Sequence, residues 1–235
     1  MILIQDSSYL DFLAKFGVGG AHPGGIQLSK ELLRAENIQQ TSHILDVGCG
    51  TGQTAAYLAA SYQANVTALD SHPLMVAKAR QRMHKARLPV QVIQGSIEQL
   101  PLPDQSFDLI IAESVLAFVP QQRALQEIYR LLKPCGRFIA IECTIPPSLP
   151  ILLAKTIQQF YGFEALLTKK EWVDKLQQAG FQAIRIQKNK TISSPPEFQL
   201  SKDIEPALYQ VMEQHMRMNE KYENSLDYRI YSCTK

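Results

Sequence analysis

ILDVGCGTGQTAAYL, at 44–58, places three glycines, Gly48, Gly50 and Gly52, where an apolar β-branched run gives way to a helical pattern. Glycines at alternate positions let a backbone turn sharply and come closer to a ligand than a Cβ would permit. The helix that follows aims unpaired N–H groups and the positive end of its dipole at the turn. An anionic group is therefore expected there. About 20 residues on, Asp70 ends the next apolar run, NVTALD, where folds of this kind place the acid that accepts from ribose hydroxyls. An adenosine-containing ligand follows, although Asp70 taken alone also reads as the cap of the helix behind it.

Working outward, the runs HILDV (43–47), NVTALD (65–70), VQVIQG (90–95), FDLIIAE (107–113) and RFIAIECTI (137–145) alternate with helical patterns at 53–61, 73–86 and 123–132. That alternation predicts βαβ units around a mostly parallel sheet, a doubly wound α/β fold. Pro146, Pro147 and Pro150 interrupt the chain before an apolar segment at 151–163. A helix at 171–179, a strand at 183–187 and a last strand, DYRIYSCT, at 227–234 complete seven strands. Two stretches stand outside the alternation: residues 1–37, with glycine-rich GVGGAHPGG at 17–25, and residues 191–226. The expected organisation is one domain: an amino-terminal lid at 1–37, a cofactor-binding core at 43–190, a helical cap insertion at 191–226 and the closing strand at 227–235.

Bulk properties narrow the function classes. The chain has 235 residues, 46% hydrophobic and 20% charged, which suits a single well-filled core. Its 24 basic and 22 acidic side chains nearly cancel, so no overall field favours nucleic acid or an acidic membrane. The basic stretch KARQRMHKAR at 78–87 reads as the solvated face of a surface helix. Cys49, Cys135, Cys143 and Cys233 have neither zinc-ligand nor disulfide-framework spacing, which implies no metal and a reducing, cytoplasmic setting. No export signal or membrane span is expected.

Three ordered motifs carry a resemblance to the class I S-adenosylmethionine-dependent methyltransferases. DVGCGTG at 46–52 resembles the first motif of that family, GSIEQLPLPDQSFDLIIAESVLAFV at 95–119 its third-to-fourth-strand region, and LLKPCGRF at 131–138 the turn before its fifth strand. The likeness spans roughly residues 43–145 and is nearest to the small-molecule subgroup that includes ubiquinone and menaquinone biosynthetic enzymes. It implies a seven-stranded Rossmann-like fold with a small helical cap, S-adenosyl-L-methionine as cofactor and a small-molecule acceptor.

Carried over by position, the resemblance implies that Asp46 and the backbone of Gly48, Cys49, Gly50, Thr51 and Gly52 hold the methionine end of the cofactor. Asp70 would take the ribose, Ser71 would border the adenine, and Ser96 and Ile97 would contact it. Serine at 96 departs from the aspartate common there. Glu113 lies at the strand edge where the methyl would be presented, and with His22 it is the candidate for acid–base work. Tyr9, Phe16, His22, Tyr209 and Met212, from the two irregular stretches, are the candidate acceptor contacts, whereas His215 on the late helix reads as an exposed or packed residue. Trp172, Met212, Met216 and Met218 read more readily as core than as cavity lining. An NAD-dependent oxidoreductase is the alternative enzyme, opposed by Gln53 where G-x-G-x-x-G requires glycine. A non-catalytic cofactor-binding module is the third reading, and the oligomeric state stays open.

Overall fold

Strands that alternate apolar residues on both faces must be covered on both, and the computed structural model, which describes residues 8–188, 195–222 and 226–235, has that layering. In chain order the elements are α1 Tyr9–Phe16, β1 Val18–Gly19, α2 Gly25–Arg34, β2 His43–Val47, α3 Gln53–Tyr62, β3 Asn65–Asp70, α4 Pro73–Ala86, β4 Gln91–Gln94 and β5 Phe107–Glu113. They continue with α5 Gln121–Leu131, β6 Leu132–Thr144, α6 Ile151–Tyr161, α7 Lys169–Gln178, β7 Gln182–Gln187, β8 Glu197–Phe198, α8 Pro206–Tyr222 and β9 Asp227–Thr234. Seven of the described strands form one sheet in the order β4-β3-β2-β5-β6-β9-β7, antiparallel only where β9 meets β6 and β7.

Leu45, Val47, Ile110, Ala112, Phe138 and Ala140 face one side, against α5 and α7; Ile44, Val66, Leu109, Ile111 and Ile139 face the other, against α2 and α3. Ile44, Leu45, Ile110 and Ile111 are wholly buried, each contributing about 1.5–3 kcal/mol over an exposed position. A third apolar cluster, separate from the sheet, joins Tyr9, Phe12 and Phe16 of α1 to Ile157 and Tyr161 of α6 and to Leu208, Val211 and Met218 of α8. The cap therefore has its own core.

Local chemistry moves several boundaries. Helix α7 starts at Lys169 rather than 171, because Thr168 and Glu171 form a reciprocal capping box. Helix α5 runs from Gln121 to Leu131, and Leu132 already pairs with Phe107, so β6 begins before the turn through Cys135. Pro73 occupies the first turn of α4, but the cap is His72, whose Nδ1 accepts from Leu74 N–H, rather than Asp70. Strands β1 and β8, two residues each, pair antiparallel and join the amino-terminal stretch to the late one. Nothing in their sequence announces them. Residues 1–7 of the expected lid, 189–190 at the end of the expected core, and 191–194 and 223–225 of the expected cap lie outside the described residues.

Candidate active site

The turn after β2 is built around its glycines. Gly48 has φ +65°, and a Cβ on it would lie 2.3 Å from Val115 Cγ2. Gly50, at φ +53°, has no atom within 4 Å of where its Cβ would project, and its N–H donates to Asp70 Oδ2 at 2.8 Å. It leaves a cradle open to a ligand. Gly52 precedes α3 without a side-chain cap, so the helix start retains donors for a bound group. The other oxygen of Asp70 accepts from His72 N–H at 2.8 Å. Burial raises the Asp70 pKa, and the His72 and Gly50 N–H groups oppose the rise. Asp70 thus fastens the loop and turns β3 into α4 while it lines the cavity.

Glu113, at the end of β5, has its Oε2 2.7 Å from the Thr54 hydroxyl, which donates to it, and 3.5 Å from His22 Nε2. Its other oxygen is buried and finds no partner among the described residues. His22 Nδ1 lies 3.2 Å from the Pro23 carbonyl, and a carbonyl only accepts, so Nδ1 carries a proton. Nε2 is then the nitrogen able to take another, with Ser29 Oγ at 3.3 Å and the Glu113 carboxylate to stabilise the cation formed. Asp46 stands behind the loop, outside the cavity wall, because its carboxylate accepts from Ala55 N–H in α3. Burial first, and then the nearby Glu113, push its pKa well up.

A cavity of about 780 Å³ opens at the carboxyl end of the sheet. Its wall includes Gly48, Cys49, Gly50, Thr51, Asp70, Ser71, Ser96, Ile97 and Glu113 from the core, and Tyr9 and His22 from the lid. Gly52 packs instead toward Met83 and Ala79 of α4. Phe16 and Met212 belong to the cap core rather than the wall, and Tyr209 is half exposed. Met216 faces solvent, Met218 is cap core and Trp172 is sheet core, its indole N–H donating to the Cys143 carbonyl. Cys49 lines the cavity, but burial drives its pKa well up and leaves it a thiol.

Sequence reasoning missed much of the far wall: Phe118, Glu142, Tyr161, Phe163 and Asn219. Tyr161 stacks on Phe163 at 5.1 Å and meets Tyr9 edge-on at 4.8 Å. Its hydroxyl donates to Asn219 Oδ1 at 3.3 Å and lies 3.2 Å from His215 Nδ1, while Asn219 Nδ2 lies 3.1 Å from His215 Nε2. Burial lowers the His215 pKa. Fully buried Glu142 accepts from the Val115 and Leu116 N–H groups through Oε1, and burial pushes its pKa up to about 7.

The basic stretch is not wholly solvated. Lys78 is buried and donates to the Gln199 carbonyl. Arg82 donates to the Thr51 carbonyl of the glycine loop at 2.8 Å and to Glu197 of β8 at 2.8 Å, and Gln53 reaches the same Glu197 oxygen. These contacts, remote in sequence, tie the late segment to the loop. Among the described residues no three His, Cys, Asp or Glu side chains cluster as a metal site, and no helix is long and apolar enough to cross a membrane.

A methyltransferase-domain family model matches residues 45–140. An uncharacterized methyltransferase of Bacillus subtilis, YodH, is 36% identical over 233 residues, 97% of this chain and 100% of its own. A demethylmenaquinone methyltransferase of Listeria monocytogenes is 33% identical over 129 residues, 53% of this chain and 54% of that enzyme. Among solved structures, a phosphoethanolamine N-methyltransferase of Haemonchus contortus in complex with S-adenosyl-L-methionine is similar with a TM-score of 0.72 at 18% identity, over 96% of this chain and 57% of that one. The [4+2]-cyclase SpnF is similar with a TM-score of 0.69 at 22% identity, over 89% and 80% of the two chains. One fold thus serves different chemistries, and the site must decide between them.

Proposed function

The chain belongs to the class I S-adenosylmethionine-dependent methyltransferases, and we propose that it methylates a small-molecule acceptor by in-line displacement inside the cavity at the carboxyl end of its sheet. The carrying observation is the cavity itself, which runs from the glycine loop past Glu113 and His22 to the aromatic wall around Tyr161. When bound, the cofactor supplies a methyl group activated on a sulfonium. The residues fit such a group: the open cradle at Gly50, and a buried Glu113 oxygen still in want of a donor. The Gly48, Cys49, Gly50 and Thr51 backbone would hold its amino-acid end, Asp70 the ribose, and Ser71, Ser96 and Ile97 the base, with Asp46 and Gly52 bracing the loop from behind.

The protein's further work is to orient the acceptor, exclude water and hold a proton. Orientation alone is worth on the order of 7–11 kcal/mol in favourable cases. The cap core, closed over the sheet by α1, α6 and α8, excludes water. His22 Nε2, backed by Glu113, receives the acceptor's proton where the acceptor has one to lose. Four free cysteines fit a reducing, cytoplasmic setting.

Calorimetry with S-adenosylmethionine and S-adenosylhomocysteine is expected to give one-to-one binding, and labelled methyl groups should pass into a component of a metabolite extract. Binding of NADH with no response to either sulfur compound would overturn the reading.

A further inference from the structure

We propose that the methyl acceptor is an uncharged molecule with an apolar, ring-bearing body and, besides the atom that takes the methyl, one hydrogen-bonding group, seated in the aromatic half of the cavity with that group on Tyr161 and Asn219. This rests on the cavity being the methyl-transfer site. No lysine or arginine is among the described residues that line it. An anionic group buried there would lack a counter-charge, which is costly. Cations that touch residues of the wall are already engaged: Arg82 with Thr51 and Glu197, and Arg229 with the Asp227 carboxylate and the Tyr228 carbonyl.

The histidines do not supply that charge to the aromatic half. The hydrogen-bond circuit assigns His215: Tyr161 donates to Asn219 Oδ1, Asn219 Nδ2 donates to His215 Nε2, and His215 Nδ1 donates back to the Tyr161 oxygen. A ring with one donor and one acceptor nitrogen is neutral, and burial favours that state. His72 faces Asp11, and His22 lies against Glu113 at the other end.

A cation fares no better. The Asp227 carboxylate is taken by Lys188 and Arg229. Glu142 accepts two backbone N–H groups through Oε1; its Oε2 has no partner among the described residues, and burial favours the neutral form, in which that oxygen offers a hydroxyl rather than a charge. What remains is ring surface from Tyr9, Phe118, Tyr161 and Phe163, and a circuit with capacity to spare: a second N–H on Asn219 and second lone pairs on Asn219 Oδ1 and Tyr161 Oη. That combination suits a hydroxyl or carbonyl on a flat apolar body.

The test uses the full chain saturated with S-adenosylhomocysteine and four probes on one skeleton, titrated by calorimetry at neutral pH: para-phenylphenol, its phosphate ester, para-phenylbenzoate and para-phenylbenzylamine. The phenol is expected to bind at least tenfold more tightly than each charged analogue. Tyr161→Phe and Asn219→Ala should each weaken the phenol at least fivefold while leaving S-adenosylhomocysteine affinity unchanged. If S-adenosylhomocysteine itself does not bind, the methyl-transfer reading fails, and this proposal with it. If it binds but a charged analogue matches the phenol, if the phenol does not bind below millimolar concentration, or if neither variant weakens it, the methyl-transfer reading stands and the acceptor class is wrong.

Discussion

His22 Nε2 and Glu113 Oε2 stand 3.5 Å apart across the junction of the lid with the sheet. The lid thereby brings a proton acceptor to a carboxylate that the strand edge already holds in place through Thr54. If that pair takes the acceptor's proton, His22→Asn should lower kcat by about 10²-fold or more. S-adenosylhomocysteine affinity should change by less than tenfold, because Glu113 and the loop remain. Steady-state kinetics and calorimetry on the same preparation check both; an unchanged kcat would reduce His22 to a packing residue of the lid.

Asp70 carries two loads, and two variants separate them. Asp70→Ala removes the acceptor for both the Gly50 and the His72 N–H groups as well as for a ribose. It is expected to weaken S-adenosylmethionine binding by about 1.5–3 kcal/mol and to lower the melting temperature. Asp70→Asn retains one oxygen for the backbone and should lose less stability than affinity. Equal affinities for both variants and the parent protein would leave Asp70 a purely structural turn residue.

Glu142 makes stability depend on pH with a definite sign. Burial lifts it from 4.5 to about 7, and the N–H groups of Leu116, Val115 and Ala117 only partly offset the rise. Between those values the folded protein holds a proton that the unfolded chain releases, so stability falls as pH rises through that window. Asp46 and Asp70, both shifted upward, add to the same slope. Glu142→Gln keeps an oxygen for the Val115 and Leu116 N–H groups and has no proton to lose. Denaturant titrations at pH 5 and pH 8 should show a shallower loss in the variant, by on the order of 1–3 kcal/mol. Parallel pH dependence would mean that Glu142 does not titrate there.

The sheet was legible because each strand is a short apolar run and each glycine of the loop answers a local need, as at Gly48 against Val115 and at Gly50 over the cavity. The cap was legible only as a region. On α8 the sequence offers two stripes of equal spacing: Tyr209, Met212 and Met216, and, one residue earlier, Leu208, Val211 and His215. The second turns inward, with Met218 continuing it, while of the first only Met212 packs against the cap core and Tyr209 and Met216 are exposed. A one-residue shift rotates a helix by about 100°, and spacing alone fixes the period but not the phase. Its continuation through Met218 was the available signal. The partners of Lys78 and Arg82 left no trace in the sequence, since charge pattern along one helix says nothing of a carboxylate on β8.

Glu197 and Arg82 give the last expectation, because they separate the lid from the loop. The Glu197 carboxylate accepts from both Arg82 and Gln53, and β8 pairs with β1, so this side chain fastens the late segment and the lid strand to α4 and α3. Arg82 does one thing more: it donates to the Thr51 carbonyl and steadies the glycine loop. The ion pair is partly exposed, so its loss should cost only about 0–1 kcal/mol of global stability. Glu197→Ala is expected to speed hydrogen exchange in β1 and β8 and to cut turnover, with S-adenosylhomocysteine affinity within tenfold, ~1.4 kcal/mol. Arg82→Ala should produce the same faster exchange and, by freeing Thr51, a larger loss of cofactor affinity than Glu197→Ala. Hydrogen exchange read alongside calorimetry distinguishes the two. Unchanged exchange in β1 and β8 in Glu197→Ala would show that strand pairing and the cap core hold the lid without this link, and equal affinities in the two variants would remove Arg82 from the support of the loop.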